Sequence, residues 1–168
     1  MSIDYLTRPR PLTPRDDILP VIIGGDFGVY GIGRCFNEAF GSRCICVGSQ
    51  PTESITRSNF FDVRHVSAHA SDAQLLDVLM SVAGEHPDKK LILMANHDIF
   101  SAFVARNARA LSRHYALPFP DSQVMERLTD KAEFARACER AGIGTPRTIT
   151  VSFSDVEDEA WAAPEPPF

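Results

Sequence analysis

Four short apolar runs, separated by glycine-rich or helically periodic stretches, constrain this chain more than any other feature. The first, Ile18-Leu-Pro-Val-Ile-Ile-Gly-Gly25, is continuous rather than alternating, the pattern of a strand buried on both faces. A glycine-dense stretch, Gly24-Gly-Asp-Phe-Gly-Val-Tyr-Gly-Ile-Gly33, comes next. A helical pattern over 34–40 follows and stops at Gly41, a residue suited to end a helix. Residues 43–48 and 63–66 read as second and third strands. The span 71–84 reads as a helix opened by a capping box of Ser71 and Gln74, with Leu75, Leu79 and Val82 along one stripe. Residues 91–95 form a fourth apolar run. A helix is expected over 98–115, with Asp98 placed to cap it, and Pro118 and Pro120 end it. Asp130 opens a helix over 130–141 that ends at Gly142, and 145–151 reads as a further strand.

This alternation predicts an α/β fold: an open, mostly parallel sheet flanked by helices on both faces. The expected layout is an arm over 1–17, where Pro9, Pro11 and Pro14 forbid regular helix, then an α/β domain over 18–122. A helix, a strand and a Pro- and Ala-rich linker fill 123–168.

With 168 residues, 44% hydrophobic and 23% charged, the chain is of ordinary globular composition. A domain of that size buries roughly 70% of its unfolded surface and needs neither disulfide nor metal to hold a core. The apolar runs fall far short of the ~20 residues that cross a bilayer, and Met1–Arg15 has no apolar signal region. The expectation is a cytoplasmic protein with no membrane partner. The net charge of −5 comes from the tail: residues 151–168 carry five acids and no Lys or Arg, so the first 150 hold seventeen charges of each sign. A neutral body without a basic cluster argues against nucleic acid as a partner. Cys35, Cys44, Cys46 and Cys138 show no metal-site spacing and read as reduced, mostly buried thiols.

In a parallel α/β sheet, ligands sit beyond the carboxyl ends of the strands. The glycines after the first strand let a ligand approach the backbone, and the helix start that follows suits an anion or carboxylate. Gly25 and Gly31 are the backbone candidates. Asp26, Tyr30 and Arg34 stand in or just beyond the stretch, Arg34 able to fork a carboxylate and Asp26 able to accept from an ammonium. A local salt link and a capping bond are the alternative for these side chains. A dinucleotide fingerprint starting at Gly31 would need a third glycine where Phe36 stands, which argues against a nicotinamide enzyme. Asn96 and Asp98, at the end of the fourth strand, complete the candidate substrate contacts.

From Ile22 to Gly41, in Ser54-Ile-Thr-Arg-Ser58, in Leu91-Ile-Leu-Met-Ala-Asn-His-Asp98, and above all from Leu128 to Thr148, the sequence resembles the ATP-grasp carboxylate–amine ligases. The subgroup it resembles is the D-aspartate ligases of peptidoglycan cross-bridge synthesis. The resemblance covers about residues 18–152 and implies the N-terminal, substrate-side domain that precedes the nucleotide-binding half. Such enzymes transfer the γ-phosphoryl of ATP to a carboxylate, and an amine attacks the acyl phosphate to form an amide. Lys131 matches a lysine that reaches ATP phosphates. The second ATP lysine would fall just after Phe168, and the carboxylates and Asn that hold Mg²⁺ would lie further on. ATP and Mg²⁺ are thus expected in the full-length enzyme and neither on this chain, which carries no catalytic residue of its own and is expected to be inactive alone. Phe27 and Gly28 depart from the Asn that follows the loop aspartate in many relatives, so substrate choice does not transfer.

The partners implied are a small carboxylate or amine substrate, and a homodimer is compatible with the sequence. The competing reading is a stand-alone α/β module that binds a small anion or serves regulation.

Overall fold

The computed structural model describes residues 14–146. Residues 1–13 of the expected arm, residues 147–151 of the expected strand and the acidic tail lie outside the described residues. The chain divides into two compact units, Met1–Met125 and Glu126–Phe168.

Five strands form one sheet in the first unit: β1 (Ile18–Ile23), β2 (Cys44–Gly48), β3 (Phe61–His65), β4 (Lys90–Ala95) and β5 (Tyr115–Ala116). Their order is β3-β2-β1-β4-β5, and every pairing is parallel. The chain therefore steps outward from β1 in one direction, then returns to the other side of β1 and steps outward again. Because crossovers between parallel strands are right-handed, reversing the step direction sends the later helices to the opposite face. The two helices between β1 and β3 are α1 (Phe27–Phe40) and α2 (Glu53–Thr56). Those after β3 are α3 (Asp72–Glu85), α4 (Asp98–Arg106) and α5 (Ala108–Leu111).

The period-2 geometry of strands shows which face each set covers. Leu19, Val21, Ile23, Ile45, Val47, Leu91 and Leu93 pack with Leu75, Leu79 and Val82 of α3 and with Phe103, Val104 and Leu111. Ile22, Cys44 and Cys46 point the other way and pack with Val29 of α1, Ile55 of α2 and Phe61. Each such aliphatic side chain, fully removed from water, contributes about 1.5–3 kcal/mol. The expected α/β sheet with both faces covered is what the chain builds.

Several boundaries differ from those the sequence suggests. Helix α1 begins at Phe27 rather than near Arg34, because the Asp26 side chain caps it by accepting from the Val29 N–H at 3.0 Å. Gly28, Gly31 and Gly33 are therefore helical. Gly33 has a packing reason, since a Cβ there would collide with the Phe61 ring. Asp98 is the first helical residue and not the cap. The cap position belongs to His97, whose carbonyl accepts from the Phe100 and Ser101 N–H groups.

The helix expected over 98–115 breaks at Asn107, where the side-chain amide donates to the Phe103 carbonyl at 2.9 Å and competes with the helical ladder. The chain then makes α5 and the two-residue β5, whose Tyr115 hydroxyl donates to the Leu79 carbonyl at 2.6 Å. The capping box of α3 is present as expected, with Ser71 and Gln74 bonded reciprocally.

Helix α6 (Ser122–Thr129) was not expected; Asp121 accepts from the Val124 N–H at its start. In the second unit, α7 (Lys131–Ala141) is capped by Asp130 and ended by Gly142 at φ 68°, as the sequence suggests. Cys44, Cys46 and Cys138 are buried and Cys35 is exposed. Burial pushes the Cys44 thiol up to about 12 and that of Cys46 up to about 11, so both behave as small apolar groups.

Candidate functional site

The corner where β1 hands over to α1 is built on backbone contacts that exclude side chains. Gly24 adopts φ 127°, a conformation few L-residues take, and its N–H donates to the Val47 carbonyl at 2.9 Å. Gly48, at the end of β2, lies against the Gly24 carbonyl, where a Cβ would collide. The Gly25 carbonyl accepts from the Thr52 N–H at 2.8 Å, which draws the segment after β2 against the segment after β1.

Asp26 follows at the point where the strand order reverses. Its Oδ1 accepts from the Asn96 amide at 2.9 Å, and its Oδ2 from the same nitrogen at 3.2 Å. Asn96 lies just past β4, so this link joins the two strands that flank the reversal, the place where open α/β sheets take ligands. The Val29 N–H above all, then the Asn96 amide and the Gly28 N–H, hold the Asp26 carboxyl below its usual range. The group is an anion with a fixed orientation.

Beside it, beyond the ends of β1, β2 and β3, opens a cavity of about 320 Å³, within the range of small-ligand sites. Ile23, Val47, Val66, Leu75 and Phe100 give it an apolar floor, and Gly25, Asp26, Ser49, Gln50, Thr52 and Ser67 a polar rim. The Thr52 hydroxyl is buried without a hydrogen-bond partner. Among the described residues, no Lys, Arg or His lines the cavity, and Asp26 is the one charged group in its lining.

The sequence-derived candidates separate into two sets. Gly25 and Asp26 line the cavity, and Asn96 holds Asp26. Tyr30 packs its ring 5.9 Å from that of Phe60, on the α1 face of the sheet. A Cβ at Gly31 would meet nothing within 4 Å. Arg34 is tied to Glu38 at 2.7 Å on the outer surface of α1, the local salt link the sequence allowed. Asp98 is exposed at the first turn of α4. Ser49, Gln50, Thr52 and Ser67 escaped the sequence reading. The hint available was Gly48-Ser-Gln-Pro-Thr52, a glycine followed by polar residues at the end of an apolar run.

No family model matches the chain. Aligned with D-aspartate ligase of Enterococcus faecium, it is 27% identical over 139 residues, 81% of this chain and 33% of that protein. The chain is a sequence relative of that ligase. It spans about a third of the length of the ligase it matches. Solved structures with a similar course include the ADP complex of N5-carboxyaminoimidazole ribonucleotide synthetase, at TM-score 0.46 and 19% identity over 82% of this chain and 31% of that one. Another is the biotin carboxylase domain of a single-chain bacterial carboxylase, at TM-score 0.48 and 20% identity over 77% and 29%.

In this ligase relative, Lys131 is the exposed first residue of α7, in the second unit. Among the described residues, no three His, Cys, Asp or Glu side chains converge as metal ligands do. Among those residues, no helix is long and apolar enough to cross a membrane. The corner itself holds an oriented carboxylate, hydroxyls and an apolar floor. It is equipped to bind and orient a molecule.

Proposed function

We propose that this chain is the N-terminal, substrate-side domain of an ATP-dependent ligase that joins a carboxylate to an amine through an acyl phosphate. In a cell the corresponding step is the addition of an amino acid to a peptidoglycan precursor, in the cytoplasm. The observation that carries this reading is the 139-residue alignment with D-aspartate ligase. The geometry supports it: the chain has a ligand-sized cavity at the carboxyl edge of a parallel sheet. The domain positions a substrate, and the phosphoryl-transfer machinery, ATP and Mg²⁺ included, belongs to the remainder of the full-length enzyme. Neither nucleic acid nor a membrane is a partner in this reading; a homodimer is compatible with it. A stand-alone small-anion module finds less support, because no cationic side chain among the described residues lines the cavity.

The test is ADP release by the full-length protein given ATP, Mg²⁺, D-aspartate and a primary amine. Release that requires both the carboxylate and the amine is the expected result, and the 168-residue chain alone releases none. ADP formation indifferent to both substrates, or equal turnover by the 168-residue chain, overturns the reading.

A further inference from the structure

We propose that the amino edge of the sheet carries a second ligand site, which takes a free α-amino acid with an apolar side chain. This inference goes beyond the ligase reading and does not rest on it.

A second cavity of about 320 Å³ opens where the chain enters β1, β2 and β4. It shares no described residue with the first. Leu19 lines this one and Ile23 the other, and four residues of strand put them roughly 13 Å apart. Hydrogen bonds hold its walls together. The Arg15 N–H donates to the Phe40 carbonyl at 2.8 Å, the Lys90 N–H to the Asp17 carbonyl at 2.8 Å, and the Ser42 hydroxyl to the Arg15 carbonyl at 3.2 Å. Walls fixed in advance lose little order when a ligand binds.

The lining joins apolar surface to a rim that carries both signs of charge. Ile18, Leu19 and Phe40 supply the apolar part. The two arginines are spent: Arg43 on Asp62 and on the Asn59 carbonyl, each at 2.6 Å, and Arg15 on Asp17 at 2.6 and 2.7 Å. Lys89 and Asp16, also in the lining, keep capacity. The Lys89 ammonium gives one N–H to the Asp16 carbonyl at 2.8 Å and has two more; Asp88 stands at 3.6 Å, past hydrogen-bond range. The Asp16 carboxylate is exposed and has no partner among the described residues. Such a side chain changes rotamer within nanoseconds, so it can turn to a ligand without disturbing the fold.

The bond from Lys89 therefore places a cation against the very residue that carries the anion. A ligand with a carboxylate alone would satisfy the lysine and meet the aspartate as a like charge; an amine alone would do the reverse. An α-amino acid bears ammonium and carboxylate on one carbon and answers both. Its apolar side chain then covers Ile18, Leu19 and Phe40.

The ¹⁵N-labelled 168-residue chain is titrated with L-leucine, with 3-methylbutylamine, which lacks the carboxylate, and with 4-methylpentanoate, which lacks the ammonium. Leucine should move the amides of 15–19, 40–43 and 88–90. It should bind more tightly than either analogue by roughly fivefold, the scale of one partly exposed ion pair. Glycine, the head group without a side chain, should bind more weakly than leucine. Lys89→Met, which keeps the apolar stem, should bring leucine down to the level of 3-methylbutylamine and leave that amine unchanged. Asp16→Asn should bring leucine down to 4-methylpentanoate and leave that acid unchanged. The analogue that each variant still binds shows that its cavity is folded.

Either analogue or glycine matching leucine, leucine shifts centred on 24–26 and 48–52, indifference of leucine to either substitution, or no shift by tens of millimolar each overturn the assignment.

Discussion

Against the sheet face that carries α3, α4 and α5, contact is made by bulk: leucines, valines and the buried Phe103 fill the space between helix and strand. Against the opposite face, contact is made by removing atoms. Gly33 admits the Phe61 ring, Cys44 and Cys46 stand where larger side chains could, and the Cys44 thiol reaches the Gly33 carbonyl at 3.7 Å. The difference matters for the site. The bulky face supplies the cavity floor through Ile23, Val47, Leu75 and Phe100, whereas the close-packed face fixes α1 and so the position of Asp26. One face makes the container, and the other aims the charge.

Substitutions on the two faces should therefore fail differently. Phe103→Ala, on the bulky face, should lose about 3–5 kcal/mol of stability in urea unfolding, the cost of a large buried cavity. The amide shifts of Asp26 and Asn96 should hardly move in that variant. Gly33→Ala, on the close-packed face, should lose less. The collision with Phe61 costs about 1–3 kcal/mol, and the better helix propensity of Ala returns about 1 kcal/mol. Its signature is displacement: the shifts of Asp26 and Asn96 should move more than in Phe103→Ala despite the smaller loss. The reverse ranking of shifts would dissolve the distinction between the faces.

The smallest effect concerns the cap itself. Asp26→Ala should cost about 1 kcal/mol at neutral pH. Because the folded carboxyl sits below its usual range, with the Val29 N–H the main cause, its contribution is complete above the unfolded value of about 3.9. That contribution fades as the pH falls through the lower, folded value. The gap between wild type and Asp26→Ala should thus be constant above about pH 5 and close in stronger acid; a gap that widens there would contradict the capping role.

Much of this architecture could be read from the residues. The continuous runs at Ile18–Ile23 and 91–95 marked two of the strands, and Ser71, Asp130, Gly41 and Gly142 sit at the helix ends their chemistry favours. Capping is local, so the sequence carries it. What was hidden depends on contacts between distant segments. Gly28 and Gly33 looked like loop glycines, because their reasons for being glycine, Asn96 and Phe61, lie far along the chain. The Asn107 break needed knowledge that its amide would take the Phe103 carbonyl. The cavity rim escaped notice because Ser49, Gln50 and Thr52 are ordinary loop residues until Gly25 draws them in. Asp26 was legible as a cap, and the fold uses it as one.

The strand at one border of the sheet has a bearing on how this protein behaves at high concentration. Along β3, Asp62 and Arg64 alternate with Phe61 and Val63, and Asp62 and Arg64 are held by Arg43 at 2.6 Å and Glu85 at 2.8 Å. An incoming chain that tried to extend the sheet there would have to strip water and partners from tethered charges, a known deterrent to fibril-like stacking. A second copy meeting this border would find helices and loops easier to grip than the sheet.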